Sequence, residues 1–146
     1  MRYDWLFLTL SLMVTHSAAI GLADPVLAVK ALAPCPPSPN CVSSQSPDES
    51  RRVDPFAYEG SPSEAKARLL DQLGSMQRIK IVSSEGNYIH AEFTSLLFHF
   101  VDDVEFLFDD PAQTIQVRSA SRSGYYDFGV NRRRVEAIRA KFQADP

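Results

Sequence analysis

Four runs of alternating hydrophobic and polar residues lie between residues 78 and 122 of the chain. The first two, RIKIVS and YIHAEFT, flank the tetrapeptide SEGN, whose Gly86 suits a hairpin turn. In YIHAEFT, Ile89, Ala91 and Phe93 fall on one side of the run and the polar positions on the other. Two further runs, FHFVDDVEFLF and TIQVRSASR, are separated by the turn sequence DDPA. The pattern therefore predicts four consecutive strands.

A helix is predicted before these strands by the segment SPSEAKARLLDQLGSM. Ser61 is a suitable N-cap, Pro62 suits the first helical position, and Glu64 completes a capping box. Apolar side chains then collect on one helical face, at Ala65, Leu69, Leu73 and Met76. The helix thus has a face that must be buried against another layer.

A second helix is predicted close to the end of the chain. Asn131 is the expected N-cap, and Val130 and Val135 occupy the positions of a hydrophobic staple. Val135, Ile138 and Phe142 form an apolar stripe. This helix also has one face suited to burial.

The order of the elements predicts an α+β fold. A short extended run, VDPFAYEG, precedes the first helix, and Pro55 limits it to an edge strand or an irregular strand. The order strand, helix, four strands, helix packs most economically as an antiparallel four- to five-stranded sheet with both helices on one face. The TATA-binding-protein-like architecture has the same order, but this analogy of fold carries no function.

The first 52 residues lie outside this predicted domain. Residues 1–23 have the features of a signal peptide, because Arg2 is followed by an apolar run and then by small residues. An uncleaved N-terminal anchor is the alternative, and only then is membrane contact expected. Residues 24–52 are rich in Pro and Ser and predict an extended leader, which leaves residues 53–143 as a single domain. We therefore expect an exported protein, in the periplasm or outside the cell.

Cys35 and Cys41 are the chain's two cysteines and enclose the segment PPSPN. Export to an oxidising compartment favours a disulfide between them. A zinc pair and a redox couple are the alternatives, but the spacing is not C-x-x-C and there is no second pair.

The segment SLLFHFV, residues 95–101, is unusually apolar. Continuing the strand pattern places Leu96, Phe98 and Phe100 towards the core and Leu97 and His99 outwards. An edge that touches a membrane is the alternative interpretation.

Charge is distributed unevenly, although the formal net charge is only −3. Such a total argues against a nucleic-acid partner, which requires a basic surface. Acidic residues are concentrated between residues 102 and 110, and an arginine-rich segment follows over residues 118–134. The segment contains five arginines: Arg118, Arg122, Arg132, Arg133 and Arg134.

Two interpretations of these arginines remain open. Matching the apolar faces around DDPA sets Phe106 near Ile115 and brings the acidic residues close to Arg118, as cross-strand ion pairs. Arg132, Arg133 and Arg134 fall in the first turn of the last helix, where the helix dipole is unfavourable to cations. Either protein carboxylates or an external anion must compensate for them. Asp127, between aromatic residues, is expected to orient the group.

Catalytic chemistry has little support in the sequence. Beyond residue 23, His90 and His99 are the only histidines, and neither lies in a metal-ligand spacing. There is no nucleophile elbow, P-loop or dinucleotide fingerprint. We therefore expect no catalytic residue, no metal and no cofactor.

The chain resembles the exported bacterial and plastid proteins grouped as domain-of-unknown-function family 1499. The segments CPPSPNCVSSQSPDE, YEGSP, HAEFTSLLFHFVDDVEFLFD and RSASRSGYYDFGVNRRRVEAIR carry the resemblance, over about residues 34–142. The resemblance implies export and, in a photosynthetic organism, the thylakoid lumen. It implies no reaction and therefore no catalytic residue.

These observations favour a non-enzymatic binding or accessory protein with an arginine-based anion site. Its partner would be an anionic small molecule or an acidic protein segment, contacted by Arg118, Arg122 and Arg132–Arg134. One alternative is a hydrolase or transferase that uses His90 with a carboxylate. Another is that the arginines only build the fold, with function on a protein-interaction face.

Overall fold

The computed structural model of the protein describes residues 31–144. The predicted signal peptide or anchor, residues 1–23, lies outside the described residues. Two α-helices, six strands and a short 3₁₀ turn at Glu49–Arg51 make up the described chain. The strands are β1 (Cys41–Ser43), β2 (Phe56–Ala57), β3 (Ile79–Glu85), β4 (Tyr88–Thr94), β5 (Val101–Asp109) and β6 (Thr114–Ser121), and the helices are α1 (Pro62–Gly74) and α2 (Val130–Ala144).

The strands form one antiparallel sheet in the order β1-β6-β5-β4-β3, with β2 also paired to β6. The α+β class predicted from the sequence is confirmed. The sheet has six strands rather than four or five, because β1, which the sequence pattern does not predict, pairs with the same edge of β6 as β2.

A single apolar core lies between the sheet and the two helices. Alternate residues of the central strands, such as Ile89, Phe106 and Val117, are fully buried against Leu69 of α1 and Ile138 of α2. Because these strand positions share one face, both helices cover that face, as predicted. The other face of the sheet carries the polar residues of β4, β5 and β6.

Helix α1 begins as predicted. Ser61 accepts a hydrogen bond from the backbone N–H of Glu64, and the Glu64 carboxylate accepts one from the backbone N–H of Ser61. Pro62 occupies the first turn, where its missing N–H costs nothing.

The register between β5 and β6 differs from the predicted one by two residues. Phe106 lies opposite Val117, not Ile115, and Glu105 lies opposite Arg118. The turn spans residues 110–113, where the backbone N–H of Gln113 donates to the carbonyl of Asp110, and so it is centred one residue later than DDPA. A shift of two keeps every side chain on its expected face.

The Pro/Ser-rich segment contributes to the sheet, although the pattern predicts a leader outside the domain over residues 24–52. Cys41, Val42 and Ser43 pair with Ala120, Ser119 and Arg118 of β6, and Val42 is buried in the core. A three-residue strand is too short to show a pattern in the sequence. The Cys35–Cys41 disulfide is formed, with the Cα atoms 5.6 Å apart, and ties the preceding loop to this edge strand.

The segment after β4 contradicts its prediction. Leu96, Phe98 and Phe100 are expected in the core, but all three are more than half exposed. Thr94 pairs with Val101, so residues 95–100 must connect two antiparallel strands and cannot extend either one. The connection is closed by a hydrogen bond of 2.8 Å from the Ser95 N–H to the Phe100 carbonyl. Within residues 31–144, no helix is long and apolar enough to cross a membrane.

Replacing both Cys35 and Cys41 by Ser should lower the free energy of unfolding by about 2 kcal/mol, as expected for a short closed loop. The sheet should survive, because its core residues lie outside the loop. Urea unfolding of the double variant, beside the unmodified protein with and without reductant, measures this loss. Complete loss of folding would show instead that the loop is required to form the sheet edge.

Candidate functional site

Arg118 is neutralised within the polar face of the sheet. Its guanidinium donates to the carboxylate of Glu105, directly opposite on β5, over 2.6 Å. Tyr88 of β4 donates its hydroxyl to the same carboxylate over 2.7 Å. Burial and this contact raise the pKa of Tyr88 well above its usual value, so the hydroxyl stays protonated. Arg118 is therefore a cross-strand partner of the acidic segment.

Arg122 is the centre of a second ion-pair cluster on the same face. Its guanidinium makes two hydrogen bonds to Asp103, of 2.8 and 2.7 Å, and a third to Glu92. His90 Nε2 lies 2.7 Å from Asp103 Oδ1, and Lys80 lies near Glu92. The hydrogen bond from Arg122 holds the pKa of both carboxyls below their usual values, against the opposing effect of burial.

Arg134 belongs to α2, and its guanidinium lies between this helix and the face of the sheet that the helices cover. Its guanidinium pairs with Asp102, which is buried, and donates to Ser119 Oγ and Asn131 Oδ1. It also lies 5.0 Å from the centre of the Phe93 ring. A buried charge needs such a partner and filled hydrogen bonds to be tolerated. This group attaches the first turn of α2 to β5 and β6.

The start of α2 is capped by Asp127, not by Asn131. Helix α2 begins at Val130, so Asn131 lies within the first turn, where it is fully buried. Asp127 accepts hydrogen bonds of 2.9 Å from the backbone N–H groups of Gly129 and Asn131. Burial raises the pKa of Asp127, but these hydrogen bonds outweigh it and leave the pKa below its usual value.

The side chain of Asn131 has a different function from capping. Its amide donates to the carbonyl of Asn40, before β1, and to Ser121 Oγ, at the end of β6. It accepts from Ser119 Oγ over 2.6 Å. Asn131 therefore joins the helix, the edge strand and β6 in one buried polar network.

Arg132 and Arg133 have no carboxylate partner within residues 31–144. Arg132 donates to the carbonyls of Ser50 and Arg52, each over 2.8 Å. Arg133 is exposed and donates to the carbonyl of Phe128 over 2.9 Å. Both guanidinium charges, at the positive end of α2, are thus met only by neutral acceptors.

An exposed apolar surface lies at the same end of the sheet, formed by the loop before β5 and the loop after β6. The two loops leave the sheet side by side, since the Arg122 N–H donates to the Val101 carbonyl. Seven large side chains in them are between 51% and 81% exposed. We call this surface the apolar end; it consists of Leu96, Leu97, Phe98, Phe100, Tyr125, Tyr126 and Phe128.

A family model described as "Protein of unknown function (DUF1499)" matches residues 31–142. The chain belongs to this family. A comparison with curated proteins gives no match. The match includes the disulfide loop and β1, so the DUF1499 region coincides closely with the described fold.

The six residues predicted to bind an anion are thus divided over the DUF1499 domain. Arg118 and Arg122 lie on the polar face of the sheet, whereas Arg132–Arg134 and Asp127 lie at the start of α2. Three of the arginines pair with carboxylates and two do not. Residues 31–144 contain no group of three or more His, Cys, Asp or Glu side chains arranged for a metal ion.

The interpretation of SLLFHFV as a core strand does not predict the apolar end. In SLLFHF the alternation of a strand continues, and the chain reversal depends on His99, whose φ of 52° lies in the left-handed region. Residues other than glycine are uncommon there, so the sequence gives little warning of a turn. The local pattern therefore favours a core strand where the structure has a loop.

Replacing Asp102 by Ala should lower the free energy of unfolding by about 3 kcal/mol, because it leaves the Arg134 charge buried and unpaired. Glu136→Gln is the matched control. It removes the carboxylate of a partly exposed pair with Arg139 on α2, the helix that carries Arg134, and should cost under about 1 kcal/mol. Urea unfolding at neutral pH measures both. Equal, small effects would mean that the buried pair does not hold α2.

Acid should destabilise the fold through Asp103, Glu92 and Asp127, whose folded-state pKa values are all lowered. Their contribution is complete above the unfolded pKa of about 4 and is lost as the pH falls through the folded values. Melting temperature should therefore decline steeply below about pH 4. Asp103→Asn should melt at a lower temperature at pH 7 and show a shallower decline. An unchanged pH slope in this variant would contradict the assignment.

Proposed function

We propose that this DUF1499 protein is a non-enzymatic, exported binding protein that recognises an acidic group of its partner with Arg132 and Arg133. The proposal rests on the observation that, within residues 31–144, these two guanidinium groups hydrogen-bond only to neutral carbonyl oxygens. An uncompensated cation at a helix N-terminus costs about 0.3–1 kcal/mol. An anion bound there would remove that cost and accept the remaining guanidinium donors.

The other residues of the predicted anion site have a supporting role in this proposal. Arg118, Arg122 and Arg134 are engaged by carboxylates, and Asp127 is engaged by backbone N–H groups. Their contacts stabilise the sheet, the loop before α2 and the first turn of α2, which carries Arg132 and Arg133. The proposal therefore narrows the contact residues from five arginines to two.

Export is supported by two independent features. The disulfide between Cys35 and Cys41 is of the kind that persists in an oxidising compartment. The first 23 residues have the pattern of an export signal. The periplasm, the extracellular space and the thylakoid lumen all satisfy both features.

Binding should depend on Arg133 and not on charge in general. Arg133→Gln should weaken binding about tenfold, which corresponds to one charge-assisted hydrogen bond. Lys141→Gln, an equal charge change in the last turn of α2, is the matched control. Titration calorimetry with inorganic phosphate and with polyglutamate distinguishes a small anion from an acidic protein segment. Absence of binding to both probes, or equal loss in the two variants, would contradict the proposal and leave the arginines a structural role.

A second candidate function, hydrolysis or group transfer by His90, is favoured by one observation. His90 is hydrogen-bonded to Asp103, as a general base held by a carboxylate would be. Within residues 31–144, however, His90 has no hydrogen bond to a Ser, Thr or Cys side chain. Model carboxylic and phosphoric esters test this candidate: turnover that is abolished by His90→Asn, with the melting temperature retained, would support it. Turnover that survives this change would exclude His90.

A further inference from the structure

We propose that the apolar end inserts into the surface of an anionic lipid bilayer. This inference rests on the proposed function, because Arg133 supplies the contact with the acidic lipid head groups. Beyond the proposed function, it identifies the partner as a lipid bilayer and adds the apolar end as a second set of contacts. The loops before β5 and after β6 would enter the interfacial region of the bilayer together.

The first support is the exposure of large apolar side chains. Leu97 is 81% exposed, Phe128 78% and Phe98 72%. Large apolar side chains that are exposed together on neighbouring loops mark a site of protein or membrane contact. Side chains this exposed stand clear of their neighbours, as inserted residues must, whereas residues that line a binding groove are partly covered by its walls.

The second support is that the aromatic rings within each loop contact each other. Phe98 stacks on Phe100 with ring centres 5.5 Å apart, and Tyr126 meets Phe128 edge-on at 5.1 Å. The first loop is closed by two hydrogen bonds between Ser95 and Phe100. Insertion would therefore require little ordering of the loops, which reduces the cost of binding.

The composition of the two loops also fits the interface of a bilayer. Leu96, Leu97, Phe98 and Phe100 form the more apolar loop, and Tyr125 and Tyr126 supply hydroxyl groups in the other. Amphipathic aromatic rings are enriched at the depth of the head groups, where one end is apolar and the other is hydrated. Shallow insertion at that depth needs no transmembrane helix.

Charge complementarity favours an anionic bilayer over a neutral one. Arg133 contacts the Phe128 carbonyl, and Arg78, exposed before β3, lies next to Thr94 at the same end of the sheet. The nearby carboxylates are all engaged: Asp102 by Arg134, Asp103 by Arg122, and Asp127 by backbone N–H groups. The apolar end is thus flanked by cations and by no unpaired carboxylate among residues 31–144. Basic residues beside inserted side chains strengthen attachment to acidic lipids.

A tryptophan placed in the apolar end can report insertion directly. Trp5 is the only tryptophan in the chain, so the double change Trp5→Phe and Phe98→Trp leaves a single tryptophan, in the loop, which can be excited selectively. The full-length variant is mixed with phosphatidylcholine vesicles, with or without phosphatidylglycerol, that carry brominated acyl chains. The control is Trp5→Phe with Val82→Trp, because Val82 lies on β3 and is 44% exposed.

The expected result is a blue shift and strong bromine quenching of the indole fluorescence at position 98 on vesicles that contain phosphatidylglycerol, with no quenching at position 82. Adding Leu97→Ser should raise the lipid concentration for half-maximal quenching about tenfold, the value for withdrawing one large apolar side chain. Adding Arg133→Gln should reduce the preference for phosphatidylglycerol, and Arg78 should retain part of it. Because the indole at position 98 reports only its own surroundings, quenching there shows that this loop enters the bilayer, and the comparison with position 82 separates it from attachment through another part of the chain.

Four outcomes would overturn the inference. Absence of quenching at position 98 on vesicles, while polyglutamate still binds through Arg133, would leave the proposed function intact and assign the partner to an acidic protein. Absence of quenching on vesicles together with absence of binding to phosphate and polyglutamate would remove the inference and the proposed function together. Quenching that is equal on neutral and anionic vesicles would refute the anionic preference. A blue shift that grows with protein concentration without lipid would identify a second copy of the chain as the occupant.

Discussion

The buried pair between Asp102 and Arg134 is the interaction on which the arrangement of this end of the molecule depends. It joins the beginning of β5 to the start of α2, and Ser119 Oγ and Asn131 Oδ1 both accept from Nη1 of the same guanidinium. A helix that packed by its apolar stripe alone could slide or rotate against the sheet. The polar network fixes its position, since each buried donor loses its partner if the helix moves.

The uneven charge of the sequence follows from the hairpin of β5 and β6. Antiparallel pairing brings residues 102–105 opposite residues 118–121, with Arg122 just beyond. Glu105 therefore pairs with Arg118, and Asp103 pairs with Arg122. Alternation of side chains sends Asp102 to the helix face and Asp103 to the open face. Arg132 and Arg133 lie beyond the reach of these carboxylates and donate only to backbone carbonyls, so their positive charge stays uncompensated at the start of α2.

Local signals in the sequence are sufficient for much of the fold and insufficient for the site. The capping box at Ser61 and Glu64 is a short-range device, and the alternation in β4 is continuous, so both can be predicted. Leu96, Phe98 and Phe100 continue the same alternation, and only the pairing of Thr94 with Val101 shows that the strand has ended. Likewise, no local feature distinguishes Arg134, which has a buried carboxylate, from its neighbour Arg133, which has none. Those differences arise from contacts between residues distant in the chain.

The same loop that carries Tyr125, Tyr126 and Phe128 also contains Asp127, whose carboxylate caps α2. This coupling has a consequence for how an apolar surface can stay exposed. Collapse of the aromatic rings onto the protein would gain apolar burial, but it would pull Asp127 from two backbone N–H groups and disturb Asn131, which is fully buried. The cost of leaving those donors unsatisfied, about 1–3 kcal/mol for each, opposes the collapse. The hydrogen bonds of Asp127 therefore favour the exposed positions of Tyr125, Tyr126 and Phe128 in this loop.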